Sequence, residues 1–443
     1  MAINNRDGLA SVKAQITPVL DEWAGIAGGG APATWGEVRN RLNAIRTYNN
    51  LSPVIAATER GKEARERINE ILALRDYRKL ELDFINDYGL VIGPNGRSGP
   101  LSSLLTIQRA SKATYFDANG VMRTADNNVL RLDHDPVTGE PRGALIERQA
   151  TNLYVYSEEF YHGAWGKASG SFTNDATVAP DGTMTADKWV SNAGVVGYAV
   201  QGVSMTAGTT YCCSTFFKAA ERSEIHLLVP MNAFSDGAHR AAKFTLTGDG
   251  TAEVTSGTNV SAFISPVGNG WYRCSIVFTP TVTATAGVQH KGLENGDGES
   301  GFYVWGAQIE AGSFPTSYIK TEGSQATRAA EAVRMDISSF LFAREKGTLF
   351  VEYRTGKSRV AQMPVCIDNG NSVSDSILLF DDLSNSAVDN RAVAQMRSGG
   401  NVELSLDLTD ANGTARDAVH KMAVSWEDGY FAASLDGGDA ITG

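Results

Sequence analysis

Cysteine and histidine are scarce in this chain of 443 residues, positive charge is short, and no apolar run is long enough to cross a bilayer. Four cysteines at this length make no disulfide framework. The adjacent Cys212 and Cys213 would point to opposite faces of a strand, so they read as buried free thiols. The six histidines (His134, His162, His226, His239, His290 and His420) include no His-Glu-x-x-His pair or other zinc spacing, so neither a catalytic metal nor a cofactor is expected. The turn from Asp133 to Gly139 offers oxygen atoms to a structural calcium, but it lacks the EF-hand pattern and reads as a plain Asp/Pro/Gly turn. A membrane span needs roughly 20 apolar residues, and none is present, so no membrane insertion is expected. The first residues, MAINNRDGLASV, lack the basic flank and apolar core of a secretion signal, and synthesis in a cytoplasm is expected.

Catalytic signatures are missing too. Gly356-Lys357-Ser358 has Val351 where a phosphate loop needs glycine, and Gly96-Arg97-Ser98-Gly99 runs into Pro100 where a nucleophile elbow would continue. The glycines of 25–30 follow no strand, which excludes a dinucleotide loop. Glu158-Glu159 and Asp381-Asp382 are adjacent carboxylates, but adjacency does not set two groups across a glycosidic bond, and they read as solvated turn residues. No enzyme is expected. The formal net charge of −11 opposes phosphate backbones and anionic lipid, so no nucleic-acid partner is expected.

What is present is β texture behind a helical start. Residues 1–92 read as helix. Thr34 and Glu37 fit a capping box, and Trp35, Val38, Leu42 and Ile45 follow at helical spacing. A second helix is expected from Ala56 to Ile85, with Ala64, Ile68, Ile71 and Leu72 as its apolar stripe and a charged opposite face. These stripes read equally as a small helical bundle or as an anchor or oligomerisation segment over 1–92, with Trp35, Val38, Leu42, Ile45, Ile68 and Ile71 as the contact residues of the second reading. Residues 93–150 read as a linker, GPNGRSGP, and short strands. Past it glycines, 46 in the whole chain, fall at short intervals and Thr, Val, Phe and Tyr dominate. Expected strands include Thr209–Lys218, Ile225–Val229, Lys243–Leu246, Trp271–Phe278 and Gly301–Ile309, separated by turns such as Gly248-Asp249-Gly250. In 334–443, Leu349, Val351 and Tyr353 alternate with Phe350 and Glu352, and Val424 and Trp426 repeat the pattern. The fold class is therefore mainly β with a helical N-terminal segment: jelly-roll or β-sandwich modules in series, one over 151–333 and one over 334–443.

Sugar rings stack their C–H faces on flat aromatic rings, and their hydroxyls need amides and carboxylates. Trp271 and Trp305 sit in apolar strands and read as core, whereas Trp165, Tyr198 and Phe234 lie in polar or glycine-rich stretches. Trp165, Tyr198, Phe234 and the nearby Asn232 are the candidate ligand residues.

The ordered motifs from Arg109 to Ile319 carry a resemblance. An Arg-Ala-Ser-Lys-Ala-Thr-Tyr start (Arg109–Tyr115) is followed by Asp117 to Gly120, Asp135 to Gly139, Gly143 to Glu147 and Thr151 to Leu153. Downstream come Ala179 to Thr183, Ala207 to Tyr211, Phe217 to Ala219, Gly270 to Arg273, Trp305 to Glu310 and Pro315 to Ile319. This series resembles phage and prophage tail or head spike-fibre proteins. The resemblance implies a carbohydrate-binding-module-like jelly roll over 151–333, followed by a concanavalin or laminin-G-like module over 334–443. It also implies a virion location, at the tail in preference to the head, and a homo-oligomer, taken as a trimer. The N-terminal segment would attach to another virion protein and the β modules to a host surface polysaccharide. The alternatives are a head fibre, connector or decoration protein without a ligand, and a capsule depolymerase. The last module has fewer recognisable strands than a laminin-G sandwich. The polypeptide is therefore expected to continue beyond Gly443, or a neighbouring copy to complete the sheet.

Overall fold

A computed structural model describes residues 37, 40–44, 80–91, 97–336, 346–354, 362–368, 376–382, 391–408, 419–427 and 430–442. It is mainly β, 54% strand against 4% helical, with several separate sheets. At the centre two six-stranded antiparallel sheets face each other across one core. The first has the order Gly166–Ala168, Tyr198–Val200, Gln289–Gly292, Glu224–Val229, Arg240–Thr245, Thr251–Ser256. The second has the order Gly170–Thr177, Ala186–Ser191, Gly301–Ala311, Tyr211–Ala219, Trp271–Phe278, Val260–Pro266. Between them Ile225, Leu227, Val229 and Phe244 of the first sheet meet Phe217, Cys274, Ile276, Phe302 and Val304 of the second.

The two sheets differ in how their strands read. Glu224–Val229 (EIHLLV) alternates half-buried and buried residues, as a strand with one face in the core must. Tyr211–Ala219 (YCCSTFFKA) is buried at seven consecutive positions. Its odd residues Tyr211, Cys213 and Phe217 enter the core, while Phe216 on the opposite face enters a second apolar cluster with Met122, Val267, Trp271, Trp305 and Tyr318. A continuous apolar run is what burial of both faces requires. In Gly301–Ala311 the inward set shifts from Phe302 and Val304 to Ala307 and Ile309. The shift occurs at Gly306, whose φ of +62° suits glycine and whose neighbourhood carries a register irregularity opposite Ser214 and Phe216.

The outer face of the second sheet is covered by a collar made from residues 97–152 and 312–336. The collar is a set of two-stranded pairs: Ala113–Phe116 with Met122–Ala125, Leu132–His134 with Pro141–Ala144, Ala150–Asn152 with Ala326–Arg328, and Thr106–Gln108 with Ala332–Arg334. Polar side chains fasten it. Asn152 Nδ2 donates to the carbonyls of Ala307 and Ile319, and its Oδ1 accepts from Ile309 N. Gln308 Oε1 accepts from Ile319 N, and Glu310 accepts from Thr316 N and Oγ1. At its centre Glu331 takes Arg109 Nη1 at 2.5 Å and also pairs with Arg131. Glu147 takes Arg131 at 2.9 Å, Arg328 at 3.6 Å, and Ser317 through both N and Oγ. The three arginine side chains are fully buried, and each pairs with a carboxylate and also donates to backbone carbonyls, although Arg328 Nε has only the 3.6 Å ion pair with Glu147.

The expected N-terminal helices meet a correction. Residues 37 and 40–44 are helical, with an Arg41–Glu37 ion pair and a buried Leu42. Trp35, Val38, Ile45, Ile68 and Ile71 lie outside the described residues. The second helix does not run to Ile85. Leu80–Asp83, Tyr88–Val91 and Arg97–Gly99 form a three-stranded antiparallel sheet, and the last of these strands lies in the stretch read as a linker. The reason is local. Asp83 Oδ1 accepts from Ile85 N and Asn86 N, closing a turn with Asp87 at φ +49°, and Leu80, Leu82 and Phe84 pack on Val91, Leu101, Leu104 and Ile107.

Residues 347–442 form two four-stranded antiparallel sheets, Gly347–Arg354, Val419–Glu427, Tyr430–Leu435, Ile441–Thr442 and Gln362–Asp368, Ser376–Asp382, Arg391–Ser398, Asn401–Asp407, around a core with Leu379, Met422, Val424 and Trp426. Leu349, Val351 and Tyr353 pack on that core while Phe350 stays 60% exposed, as the alternation in the sequence requires.

Candidate functional site

With the second sheet covered, the outer face of the first sheet is the broad surface of the central body on which no described collar element packs. Register places one row across it. Tyr198 pairs with Lys291, Lys291 with His226, His226 with Lys243, and Lys243 with Glu253. Val200, Gln289 and Leu228 lie two residues further along the same strands and so on the same face. Each strand contributes by the same rule. Its alternate residues Ala199, His290, Leu227 and Ala242 fill the core, which leaves the intervening ones outside.

Tyr198, Lys291, His226 and Lys243 are half-buried and Glu253 is exposed. Lys243 Nζ is balanced by Glu253 at 3.4 Å and Glu224 at 3.7 Å. His226 Nε2 lies 2.7 Å from Thr255 Oγ1. Burial and then the neighbouring Lys291 charge push the His226 imidazole down to about 4, so it is neutral at neutral pH. Lys291 is held below its usual value by burial alone, and no described residue bonds or pairs with its ammonium. The Tyr198 hydroxyl likewise has no partner among the described residues. The face thus offers an accessible ring, a cation without a counter-charge, a neutral imidazole and an amide within one row of strands. That set can stack on a sugar ring and hydrogen-bond its substituents.

Of the four residues singled out from sequence, Tyr198 stands on this face and the others do not join it. Trp165 is 1% exposed. Its indole N–H donates to the Tyr156 carbonyl at 2.9 Å, and its ring lies 4.5 Å from Phe160 and 5.1 Å from Tyr154. Phe234 is 4% exposed, with the Arg240 guanidinium 4.1 Å over its ring. Neither ring has a free surface, so neither can be a stacking platform. Asn232 is exposed on the short 3₁₀ turn Met231–Ala233 and donates to the Thr285 carbonyl at 3.3 Å. Trp271 and Trp305 are core, as their strands indicate, with indole N–H groups on Val178 O and Thr185 Oγ1. Reading aromatics by their neighbours missed Lys291, His226 and Gln289. The alternation in EIHLLV and QHKG was the available signal.

The other chemistry-bearing groups have structural partners. Glu158 is bound by Tyr318 Oη at 2.9 Å and Lys320 at 3.1 Å. Asp135 Oδ1 caps Val137 N and Thr138 N while its Oδ2 takes Arg142, the plain turn. Burial pushes the Asp187 carboxyl up to about 6, but its oxygens accept from Phe160 N and Asp175 N. Cys212, Cys213, Cys274 and Cys366 are free thiols, the first three buried. Among the described residues no group of three or more His, Cys, Asp or Glu side chains is placed to hold a metal, and no helix is long and apolar enough to cross a membrane. A shallow depression of about 490 Å³ beside Arg148, Thr210, Gly312 and Phe314 gathers no pair of carboxylates. No protein family profile matches the chain, and no curated protein matches it.

Proposed function

We propose that this chain is a subunit of a bacteriophage tail spike or fibre, and that its central body is a jelly roll holding a host surface glycan on its open sheet. The reading is carried by one observation. The two sheets have unequal outer faces: one lies under the collar, and the other keeps a row of half-buried polar residues with an accessible ring, Tyr198, at one end. Within that row Tyr198 and Lys291 lose hydration without a bonding partner among the described residues, which suits a surface that a polar ligand completes. The resemblance of Arg109–Ile319 to spike and fibre proteins supplies the virion setting. In that setting the chain is a homotrimer, held to another virion protein through residues 1–92, and it has no catalytic role. Several copies of a weak site raise avidity through effective concentration.

The test is binding of the full chain to polysaccharide from the host surface, comparing wild type with Tyr198→Ala. Loss of one stacking ring is expected to weaken binding by about twofold to tenfold, given the 0.5–1.5 kcal/mol typical of an aromatic contact. The melting temperature should stay close to that of wild type. If no host glycan binds, and particles lacking the chain adsorb normally, the connector or decoration reading replaces this one.

A further inference from the structure

We propose that the glycan taken by the open sheet is acidic, and that the carboxylate of a uronic-acid-type sugar is received by Lys291 beside Tyr198 and His226. This rests on the glycan-binding reading and names the class of sugar. The argument begins from charge pairing. Of the two lysines in the row, Lys243 lies between Glu224 and Glu253 and is neutralised by them. Lys291 sits one strand nearer the sheet centre, paired in register with Tyr198 on one side and His226 on the other. Neither neighbour is a carboxylate, and no described carboxylate lies within ion-pair reach of its ammonium.

A half-buried cation without a counter-charge costs stability, and burial accordingly holds the Lys291 ammonium below its usual value. A ligand carboxylate placed there supplies the missing charge. The surroundings fit a sugar acid better than a free anion. The Tyr198 ring flanks the cation on the same face, where the C–H side of a pyranose can stack while its carboxylate meets Lys291. The neutral His226 offers its Nδ1 edge to a hydroxyl, since Nε2 is engaged by Thr255. Gln289 on the next row of the face adds an amide.

The experiment titrates the full chain calorimetrically with three probes: a glucuronic-acid-containing oligosaccharide, the same oligosaccharide with its carboxyls reduced to alcohols, and a sulfated neutral oligosaccharide. Lys291→Ala and Lys291→Arg are measured beside wild type. The expected result is binding of the glucuronate probe, about tenfold to a hundredfold weaker binding of the reduced probe, and a matching loss in Lys291→Ala that Lys291→Arg partly restores. Binding should weaken at about 1 M salt, where the Debye length is about 3 Å. Because Lys291 has no partner to lose among the described residues, Lys291→Ala should melt no lower than wild type, which separates lost recognition from lost folding. Equal affinity for the acidic and reduced probes, or unchanged glucuronate binding by Lys291→Ala, overturns the acidic assignment and leaves glycan binding standing. Tighter binding of the sulfated probe than of the glucuronate overturns the choice of carboxylate. Failure of all three probes together with host polysaccharide overturns this proposal and the function it rests on.

Discussion

Replacing Glu331 by alanine removes the carboxylate that joins the collar's two ends. Glu331 is almost completely buried and serves Arg109 and Arg131, both of them buried as well. The cluster of Arg109, Arg131 and Arg328 with Glu147 and Glu331 has three positive and two negative charges; the variant has three and one. Arg131 keeps Glu147 and the Thr114 and Leu145 carbonyls, but Arg109 keeps only backbone carbonyls. Breaking a buried pair from one side typically costs about 3–5 kcal/mol, because the other charge stays desolvated. For a body of the size of residues 97–336, each kcal/mol lowers the melting temperature by about 2–4 °C, so a fall of about 6–20 °C is expected. Calorimetry of the full chain should show it in the transition of the central body. Trp271 and Trp305, which lie under the collar, should report it as a red shift of tryptophan emission. The control is Lys112→Ala, which removes an exposed pair with Asp126 at 3.8 Å and should move stability by under about 1 kcal/mol. A fall below about 2 °C for Glu331→Ala would refute the view that the ion-pair cluster holds the collar.

Three further outcomes are expected. His290 is buried, bonded to Thr215 Oγ1 and Val288 O, and burial pushes it down to about 4; its folded value lies below the unfolded one, so its contribution is complete above about 6.5 and is lost as pH falls toward 4. Stability should therefore rise by up to about 3 kcal/mol across that window, and a melting series with His290→Gln should be flatter there. Trp165→Ala and Phe234→Ala should each cost about 3–5 kcal/mol in chemical denaturation, as core truncations do, whereas a change confined to glycan affinity would restore them as ligand residues. In the last module Trp426→Ala should cost a similar amount, while Phe350→Ser, at an exposed position, should stay within about 0.5 kcal/mol.

Much of the β architecture was legible, and the reason is periodicity. Trp271–Phe278 has the bounds expected from its apolar run, and the faces of Leu349, Val351 and Tyr353 follow from alternation. The hairpin at 80–91 was not legible, because a short turn closed by Asp83 competes locally with a helix pattern that the preceding residues suggest. The motif residues from Arg109 to Ile319 have mostly structural work: Arg109, Glu147, Asn152, Gln308 and Glu310 fasten the collar to the second sheet. That is why they mark no site. For the site, the neighbours of an aromatic in sequence say little about its burial. Phe234 lies among polar residues and is nonetheless sealed under Arg240. Strand alternation, which compares one face with the other, separates the open sheet from the covered one.

The pairing of Thr106–Gln108 with Ala332–Arg334 has a mechanical consequence. The chain passes into the central body and leaves it side by side, with Thr106 opposite Arg334 at the outer end and Gln108 opposite Ala332 at the inner end. A pull applied along the polypeptide from both sides would open this ribbon one bond pair at a time, from Thr106 and Arg334 inward. The load would next reach the junction of Glu331 with Arg109 and Arg131 before any strand of the two large sheets felt it. The body therefore hangs beside the line of force instead of lying in it. Such a pull would be carried by the three-residue ribbon and its charged clasp, leaving the face that carries Tyr198 and Lys291 undistorted.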